Sequence, residues 1–477
     1  MSSRKHAGAP SHETPARPPL EFYGGKWVLL VPTVALIAVM CWVSFTERAS
    51  ISAFWVGGIL ALIIGMLFAR DRKAYADTIV RGLTDRTGAT VIVAFIFAGV
   101  FGAIMKAAGL VDGLLWLGLQ TGLTGGWFTV LAFILACIFG AGTGTSVGTV
   151  QAMAPVLFPA GILLGADPTM LAVAILAGGA FGDNIAPISD TTVTSAYTQN
   201  ASMGDVVRSR LPLALTAAAV SIVVFAIFGG GGEVVEQSAS GTGPIGLIQI
   251  IPFAVVLTLA MMKRHLFVSL TWGIIAGIAI GLVTRTLDPA QIFSIPAERG
   301  ESTGLIEDGM AGVTGLILLV LLIMAFSQVL AESGMMASLL AKLERASARG
   351  VRSAELTIIV VTLVFTVPLG ANAPAILLVG PTIAKPLGEK HRLSAARRAN
   401  LLDCSACTVF YMLPWHNAVI AWFATISIAA ADIGIDAPGI GAAFMNPYAW
   451  ALLVVIVVSA LTGWNRTYAT EKELAAA

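Results

Sequence analysis

Apolar residues along this chain come in long blocks rather than in the alternating faces of a soluble fold. Unbroken blocks of about 17–20 residues, enough helix to cross a hydrocarbon core of about 30 Å, lie at 27–45, 52–69, 89–107, 211–229, 247–262, 266–283, 313–330 and 447–461, the shortest of them near the lower limit. Four further blocks are apolar but interrupted. Segment 127–164 is broken by the run Gly140 to Gly148, and segment 356–384 by the run Pro368 to Pro374. Segment 168–201 is broken around Gly182 and Pro187, and segment 393–431 at Pro414-Trp-His-Asn417. Glycine weakens a helix through backbone entropy, and proline by its missing N–H and its clash one turn back. Each interruption therefore predicts a helix that stops and resumes inside the apolar layer.

The order of these blocks repeats. Residues 27–229 read span, span, span, hairpin, broken span, span, and residues 247–461 read the same again. Ala108-Gly109 aligns with Ser333-Gly334, Gly140-Ala141 with Gly370-Ala371, and Pro187-Ile-Ser-Asp190 with Pro414-Trp-His-Asn417. Each arm of the two glycine-broken segments has about 14 residues, roughly 21 Å of helix, which predicts re-entrant hairpins rather than two full crossings. Five crossings per unit is an odd number, so the second unit is inverted relative to the first. The expected fold is an all-α polytopic membrane protein of two inverted-topology repeats, each with five transmembrane helices plus one re-entrant hairpin, and with broken helices at the midplane. Its parts are a disordered cytoplasmic tail (1–26), a first repeat (27–229), a linker (230–246), a second repeat (247–464) and a cytoplasmic tail (465–477).

Composition agrees: 57% of the 477 residues are hydrophobic and 12% charged, against about 25% charged in soluble domains. With the N-terminus placed inside, cytoplasmic stretches hold 24 of the 28 lysines and arginines, Arg208, Arg210, Arg397 and Arg398 among them. That bias orients the chain in a cell inner (plasma) membrane with both termini cytoplasmic. On this reading no arginine lies deep in a span, and Lys106 snorkels from a span end. The net charge of +1 argues against a nucleic-acid partner. The four cysteines all sit in apolar segments, so Cys404-Ser-Ala-Cys407 reads as buried small residues, not as a redox or disulfide motif. No signal-peptide cleavage pattern precedes the first span.

The chemistry concentrates in 182–192. Two carboxylates, an amide and several hydroxyls stand there in an apolar block, and ionisable groups inside a membrane mark function by default. Asp183, Asn184, Ser189, Asp190, Thr191 and Thr192 are the expected proton- and cation-binding residues, with Asp183 and Asp190 as carboxylate ligands to Na⁺. Freed carbonyls beside them complete an all-oxygen nest for a small hard cation. Two carboxylates around one break outweigh the plainer reading of a kinked structural helix. Thr143, Thr145 and Ser146 at one hairpin, Asn372 at the other, and Asp403, Ser405, His416 and Asn417 near the second break are candidates to line the path. Helix-carbonyl bonding for the hydroxyls, a structural role for His416 and local capping by Asp403 are the alternatives. Asp190 is matched in the second unit by neutral Asn417, so the stronger ligands lie in the first half.

The pattern Gly182-Asp183, Pro187, Ser189-Asp190-Thr191-Thr192 resembles the NhaC-type sodium/proton antiporters of the ion transporter superfamily, whose motif reads G-D-x-x-S-P-x-S-D-T-T; Ala186 stands where that motif has serine. With the repeat and hairpin layout, the resemblance extends over nearly the whole chain. It implies a sodium-linked secondary transporter antiporting protons, with Na⁺ and H⁺ as transported ions and no cofactor, and it suggests a homodimer with an elevator-like motion. A buried carboxylate holds a cation or a proton but not both well, so the expected activity is exchange of Na⁺ for H⁺ by alternating access. The family is mixed, so a Na⁺-coupled carrier of a small organic acid or amino acid is the alternative. An intramembrane aspartyl protease built on Asp183 and Asp403 is disfavoured by the spacing of the glycines before Asp183, and a passive channel by hairpins opening to opposite faces; the expectation is a transporter and not an enzyme.

Overall fold

The computed structural model describes residues 19–45, 51–84, 86–234, 244–262, 264–293, 304–335 and 350–470, with the single residues Ile295 and Ser338. They are almost wholly helical. Eight helices among them are long and apolar enough to cross a membrane, and a ninth span is formed if Phe95–Ala107 and Leu110–Thr121, bent by 60°, are taken together. Large apolar side chains such as Trp42, Leu67, Ile227 and Val283 are exposed on the outside, as lipid-facing residues would be. The chain is a polytopic membrane protein.

The longer elements of the two halves follow a similar order, with Arg72–Leu83 and Leu110–Thr121 as further helices in the first half. Leu30–Phe45, Ile51–Phe68 and Arg86–Ala107 precede a helical hairpin (Gly125–Thr143 and Ser146–Leu163), a broken helix (Pro168–Ile185 and Asp190–Gln199) and the long helix Met203–Phe228. Ile250–Met261, Leu266–Thr284 and Leu305–Glu332 precede a second hairpin (Val351–Leu369 and a return arm from Asn372 to Lys390), a second broken helix (Ala395–Val409 and Asn417–Ala431) and Pro447–Thr462. The return arm of the second hairpin passes through a π-helical turn at Gly380–Ala384, where Gln199 Nε2 donates to the Gly380 carbonyl at 3.0 Å.

The first hairpin departs from expectation. Of its glycine run only Gly144 and Thr145 leave the helix, so the arms have 19 and 18 residues, about 28 and 27 Å of helix. Each arm alone is long enough to span, and arm length no longer argues for re-entry. The turn is made by Gly144 (φ +68°) followed by extended Thr145, and at the second hairpin by Gly370 (φ +63°) followed by extended Ala371. Left-handed backbone of this kind favours glycine, and it aligns Gly144-Thr145, not Gly140-Ala141, with Gly370-Ala371.

Gly140 serves packing instead. A Cβ on Gly182 would lie 2.3 Å from the Gly140 Cα, and one on Gly178 would lie 2.5 Å from the Ala136 Cβ. These glycines let the first hairpin arm and Pro168–Ile185 meet backbone to backbone, as small residues do in membrane bundles. Gly182 is therefore not the helix breaker.

The ends of the described chain also differ from the tails expected. Tyr23 N donates to the Phe68 carbonyl at 2.7 Å and Phe22 is buried, so residues 20–23 are tied to the bundle. Arg466 pairs with buried Glu355 at 2.6 Å and Ser394 N donates to the Thr467 carbonyl, which holds 465–470. Residues 1–18, 235–243 and 471–477 of the expected tails and linker lie outside the described residues. Residues 72–83 form a short helix capped by Asp71, with Arg81 paired to Glu332 at 2.5 Å.

Candidate functional site

The first break follows from local chemistry. Asp167 caps the helix, its carboxylate accepting from Met170 N at 2.8 Å, and Pro168 fills the first turn where no N–H is needed. The helix runs through Gly182 and Asp183 to Ile185. Ala186, the residue before Pro187, is extended (φ −70°, ψ 128°), because the proline ring disfavours helical backbone one residue ahead. Ser189 then caps Asp190–Gln199, accepting from Thr191 N at 3.3 Å.

Both hairpin turns dock on the breaks. A Cβ on Gly144 would lie 3.1 Å from Ser189 N, so the first turn touches the first break. Asn417 N donates to the Gly370 carbonyl at 3.2 Å, tying the second turn to the second break. Asp183 lies where these pieces meet and is 6% exposed. Ser189 Oγ donates to its Oδ1 at 2.7 Å; Tyr411 Oη and Asn372 Nδ2 donate to its Oδ2 at 2.5 and 3.5 Å. The side chain of Ser146, first residue of the first hairpin's return arm, faces the same phenol. One carboxyl is thus held by a serine from the first break, a tyrosine from the second, and an asparagine from a hairpin turn.

A second acidic cluster lies beside it and is of another kind. Asp403 and Arg210 are both 0% exposed, with Arg210 Nη1 2.6 Å from Asp403 Oδ2. Ser195 and Thr192 hydroxyls lie 3.3 and 3.4 Å from Oδ2, while Asn184 Nδ2 and Cys407 Sγ lie 3.3 Å from Oδ1. Arg210 also donates from Nη1 to the Asn184 carbonyl and to Thr192 Oγ1, and from Nε to Asn400 Oδ1 at 2.9 Å. Asn184 in turn accepts from Tyr448 Oη at 3.2 Å. Such a pair replaces the lost hydration of both ions only because its remaining donors and acceptors are used as well.

Arg210 corrects the expectation that no arginine lies deep in a span. Ser202 caps the long helix and starts it at Met203, so Arg210 sits two turns inside an apolar helix and is fully buried. Arg397 and Arg398 are likewise buried, Arg397 2.8 Å from Glu355. Asp403, expected as an ion-lining carboxylate, is already paired with a resident cation.

Asp190 departs further. It was expected to share a buried site with Asp183, yet it is exposed, on one face of its helix with Val193 and Tyr197. As first residue of that helix it sits where the helix dipole favours an anion. It remains close enough to Asp183 for the two charges to interact.

The other candidates separate cleanly. Thr191 Oγ1 lies 2.9 Å from Ser189 Oγ and so adjoins the Asp183 group. Thr143 donates to the Phe139 carbonyl at 3.0 Å and Ser405 to the Leu401 carbonyl at 2.6 Å, and Thr145 caps its helix through Gly148 N. These three hydroxyls serve their own helices. His416 is fully buried, its Nε2 3.2 Å from the Val367 carbonyl, and it closes the second break beside Trp415, which donates to the same carbonyl. Asn417 starts the helix after that break, as Asp190 does after the first. Tyr411, Arg210, Tyr448 and Asn400 were not foreseen; only Tyr411, a polar aromatic inside a break, carried a readable signal.

Among the described residues no three His, Cys, Asp or Glu side chains come together as metal ligands.

The sequence matches the profile of the Na⁺/H⁺ antiporter family over residues 20–230 and 235–464. It is 23% identical over 410 residues to a malate-2H⁺/Na⁺-lactate antiporter of Bacillus subtilis, covering 82% of this chain and 86% of that protein. It is 24% identical to the Na⁺/H⁺ antiporter NhaC of Alkalihalophilus pseudofirmus, over 78% and 84% of the two chains. To the arginine/ornithine antiporter ArcD of Halobacterium salinarum it is 22% identical, over 75% and 76%.

Proposed function

The chain belongs to the Na⁺/H⁺ antiporter family, and on that premise we propose that it exchanges Na⁺ for H⁺ across a plasma membrane by alternating access, with Asp183 as the group for which the two ions compete. The observation that carries this reading is the set of donors on the Asp183 carboxyl. A serine and a tyrosine hydroxyl donate to it, and a hydroxyl can donate or accept by rotating. With no cation present, both protons point at the carboxylate. When Na⁺ arrives, both oxygens turn lone pairs towards it, and the carbonyls left free at the break add further ligands. When a proton binds instead, the carboxyl is neutral and the cation leaves. Asp403 takes no part in this competition, because Arg210 already neutralises it. Asp190, exposed at the head of its helix, draws cations to the entrance.

The recurring order of elements supports two inverted units whose hairpins dip from opposite faces, with both termini cytoplasmic. Docking of each hairpin turn on a break supports a site at the midplane between the units. A homodimer is part of this reading on family resemblance alone.

A second reading is favoured by one observation: Arg210 Nη2, fully buried, has no hydrogen-bond partner among the described residues, and a guanidinium edge is what a carboxylate substrate would use. On that reading Na⁺ moves against a small organic acid, as the name of the Bacillus subtilis relative says of that protein. Purified protein in liposomes loaded with Na⁺ and a pH dye separates the two. On dilution into Na⁺-free buffer the proposed exchanger acidifies the lumen, and Asp183→Asn does not. No pH change with Na⁺, together with Na⁺-driven movement of labelled malate or lactate, would overturn the exchange in favour of the second reading.

A further inference from the structure

A cavity of about 370 Å³, with neither Asp183 nor its hydrogen-bond partners on its lining, lies between helices Arg86–Ala107 and Leu305–Glu332 on one side and Ser146–Leu163 and Asn417–Ala431 on the other. That volume falls in the range of small-molecule sites, which combine apolar walls with a few convergent polar groups. Phe95, Val313 and Ile428 supply apolar wall here, and Gly312, where a Cβ would meet nothing within 4 Å, leaves it open.

Two observations point to a ligand. Gln151 lines the cavity at 2% exposure, and neither its amide nitrogen nor its amide oxygen has a hydrogen-bond partner among the described residues. A buried amide left unpaired is costly, and such groups in a folded protein call for a partner. Thr425 on the same lining donates to the Ala421 carbonyl at 2.8 Å, so its oxygen can still accept. The second observation is charge. Lys106 is paired with Asp432 at 2.9 Å, and the Asp308 carboxylate stands on the same lining. Two carboxylates against one ammonium leave this cavity with one net negative charge.

We propose that this cavity is a second binding site, separate from the Asp183 centre, for a small organic cation with an apolar body, its ammonium held by Asp308 and by the Gln151 and Thr425 oxygens. An ammonium has three donors and no acceptor, which matches three acceptors around an apolar chamber. The site is lined by helices from both hairpin and broken-helix elements and from the flanking spans, so a ligand there bridges parts that alternating access would move apart. It does not depend on which ion Asp183 carries, and the test reads binding rather than transport.

The full-length protein in detergent, in Na⁺-free buffer, is titrated with isoamylammonium chloride and, separately, with sodium-free 4-methylpentanoate, which has the same branched body but a carboxylate. Thermal unfolding is followed. The ammonium compound is expected to raise the unfolding temperature saturably, and the carboxylate is not. Asp308→Asn, at the exposed edge, should raise the half-saturating concentration about tenfold, the weight of one charge-assisted contact. Gln151→Leu should abolish the shift, and Asp183→Asn should leave it intact. Absence of any saturable shift, an equal shift from 4-methylpentanoate, or an unchanged half-saturation in Asp308→Asn would overturn the proposal. The Asp308 variant decides alone if Gln151→Leu does not fold.

Discussion

Arg210→Met removes one partner of a fully buried ion pair while keeping most of the side-chain volume. Both charges are 0% exposed, so Asp403 would be left as an uncompensated buried carboxylate. Breaking such a pair costs about 3–5 kcal/mol, or roughly two to three and a half powers of ten in the unfolding equilibrium at 1.4 kcal/mol per tenfold. The remaining donors on Asp403, from Ser195, Thr192, Asn184 and Cys407, soften the loss but carry no positive charge. Asp403→Leu in the same chain removes the stranded charge, so the double variant should recover most of the loss. It would still lack the hydrogen bonds of Arg210 to Asn400 and Asn184, at about 1 kcal/mol each. The assay is a double-mutant cycle of denaturant-induced unfolding in mixed micelles, read by tryptophan fluorescence. A coupling of about 2 kcal/mol or more is expected for residues in one network. A loss under about 1 kcal/mol in Arg210→Met, with the double variant simply additive, would refute the buried pair.

Three further outcomes follow from the same geometry. Tyr411→Phe deletes the 2.5 Å donor to Asp183 but keeps the ring; Na⁺ affinity by equilibrium titration should fall about tenfold, the weight of one hydrogen bond to a charged group, with thermal stability little changed. Gly182→Ala puts a methyl group 2.3 Å from the Gly140 Cα, backbone that cannot yield, so folded protein recovered by size exclusion should drop sharply. Arg210→Gln combined with Asp403→Asn replaces the ion pair by neutral amides, and on our account it retains Na⁺-driven pH change in liposomes, since neither charge carries the exchanged ion.

What could be read from the sequence was what is decided locally. Pro187 forces the break because its ring acts on Ala186 next door, and Ser189 caps the helix that follows; both effects reach only a few residues. The helical blocks were legible for the same reason. Gly182 was misread as a breaker because its purpose lies in a contact with Gly140, on another helix. Arg210 gave no sign of depth, since its helix starts at Met203 through a serine cap and its charge is matched by Asp403 in the other half of the chain. Asp190 looked equivalent to Asp183 by composition, but a helix start fixes only its level along the axis and not the direction it faces. The hairpin arms were judged too short because the glycine run 140–142 was counted as turn, whereas close packing keeps it helical.

The central claim is that one buried carboxyl, Asp183, holds either Na⁺ or a proton. The direct measurement is proton release on Na⁺ binding by the purified protein, followed with a pH dye in weakly buffered detergent solution. Started at a pH low enough that Asp183 carries its proton, Na⁺ binding should release about one proton per Na⁺, an effect abolished in Asp183→Asn and retained in Asp403→Asn/Arg210→Gln. Undiminished Na⁺-linked proton release from Asp183→Asn would contradict it.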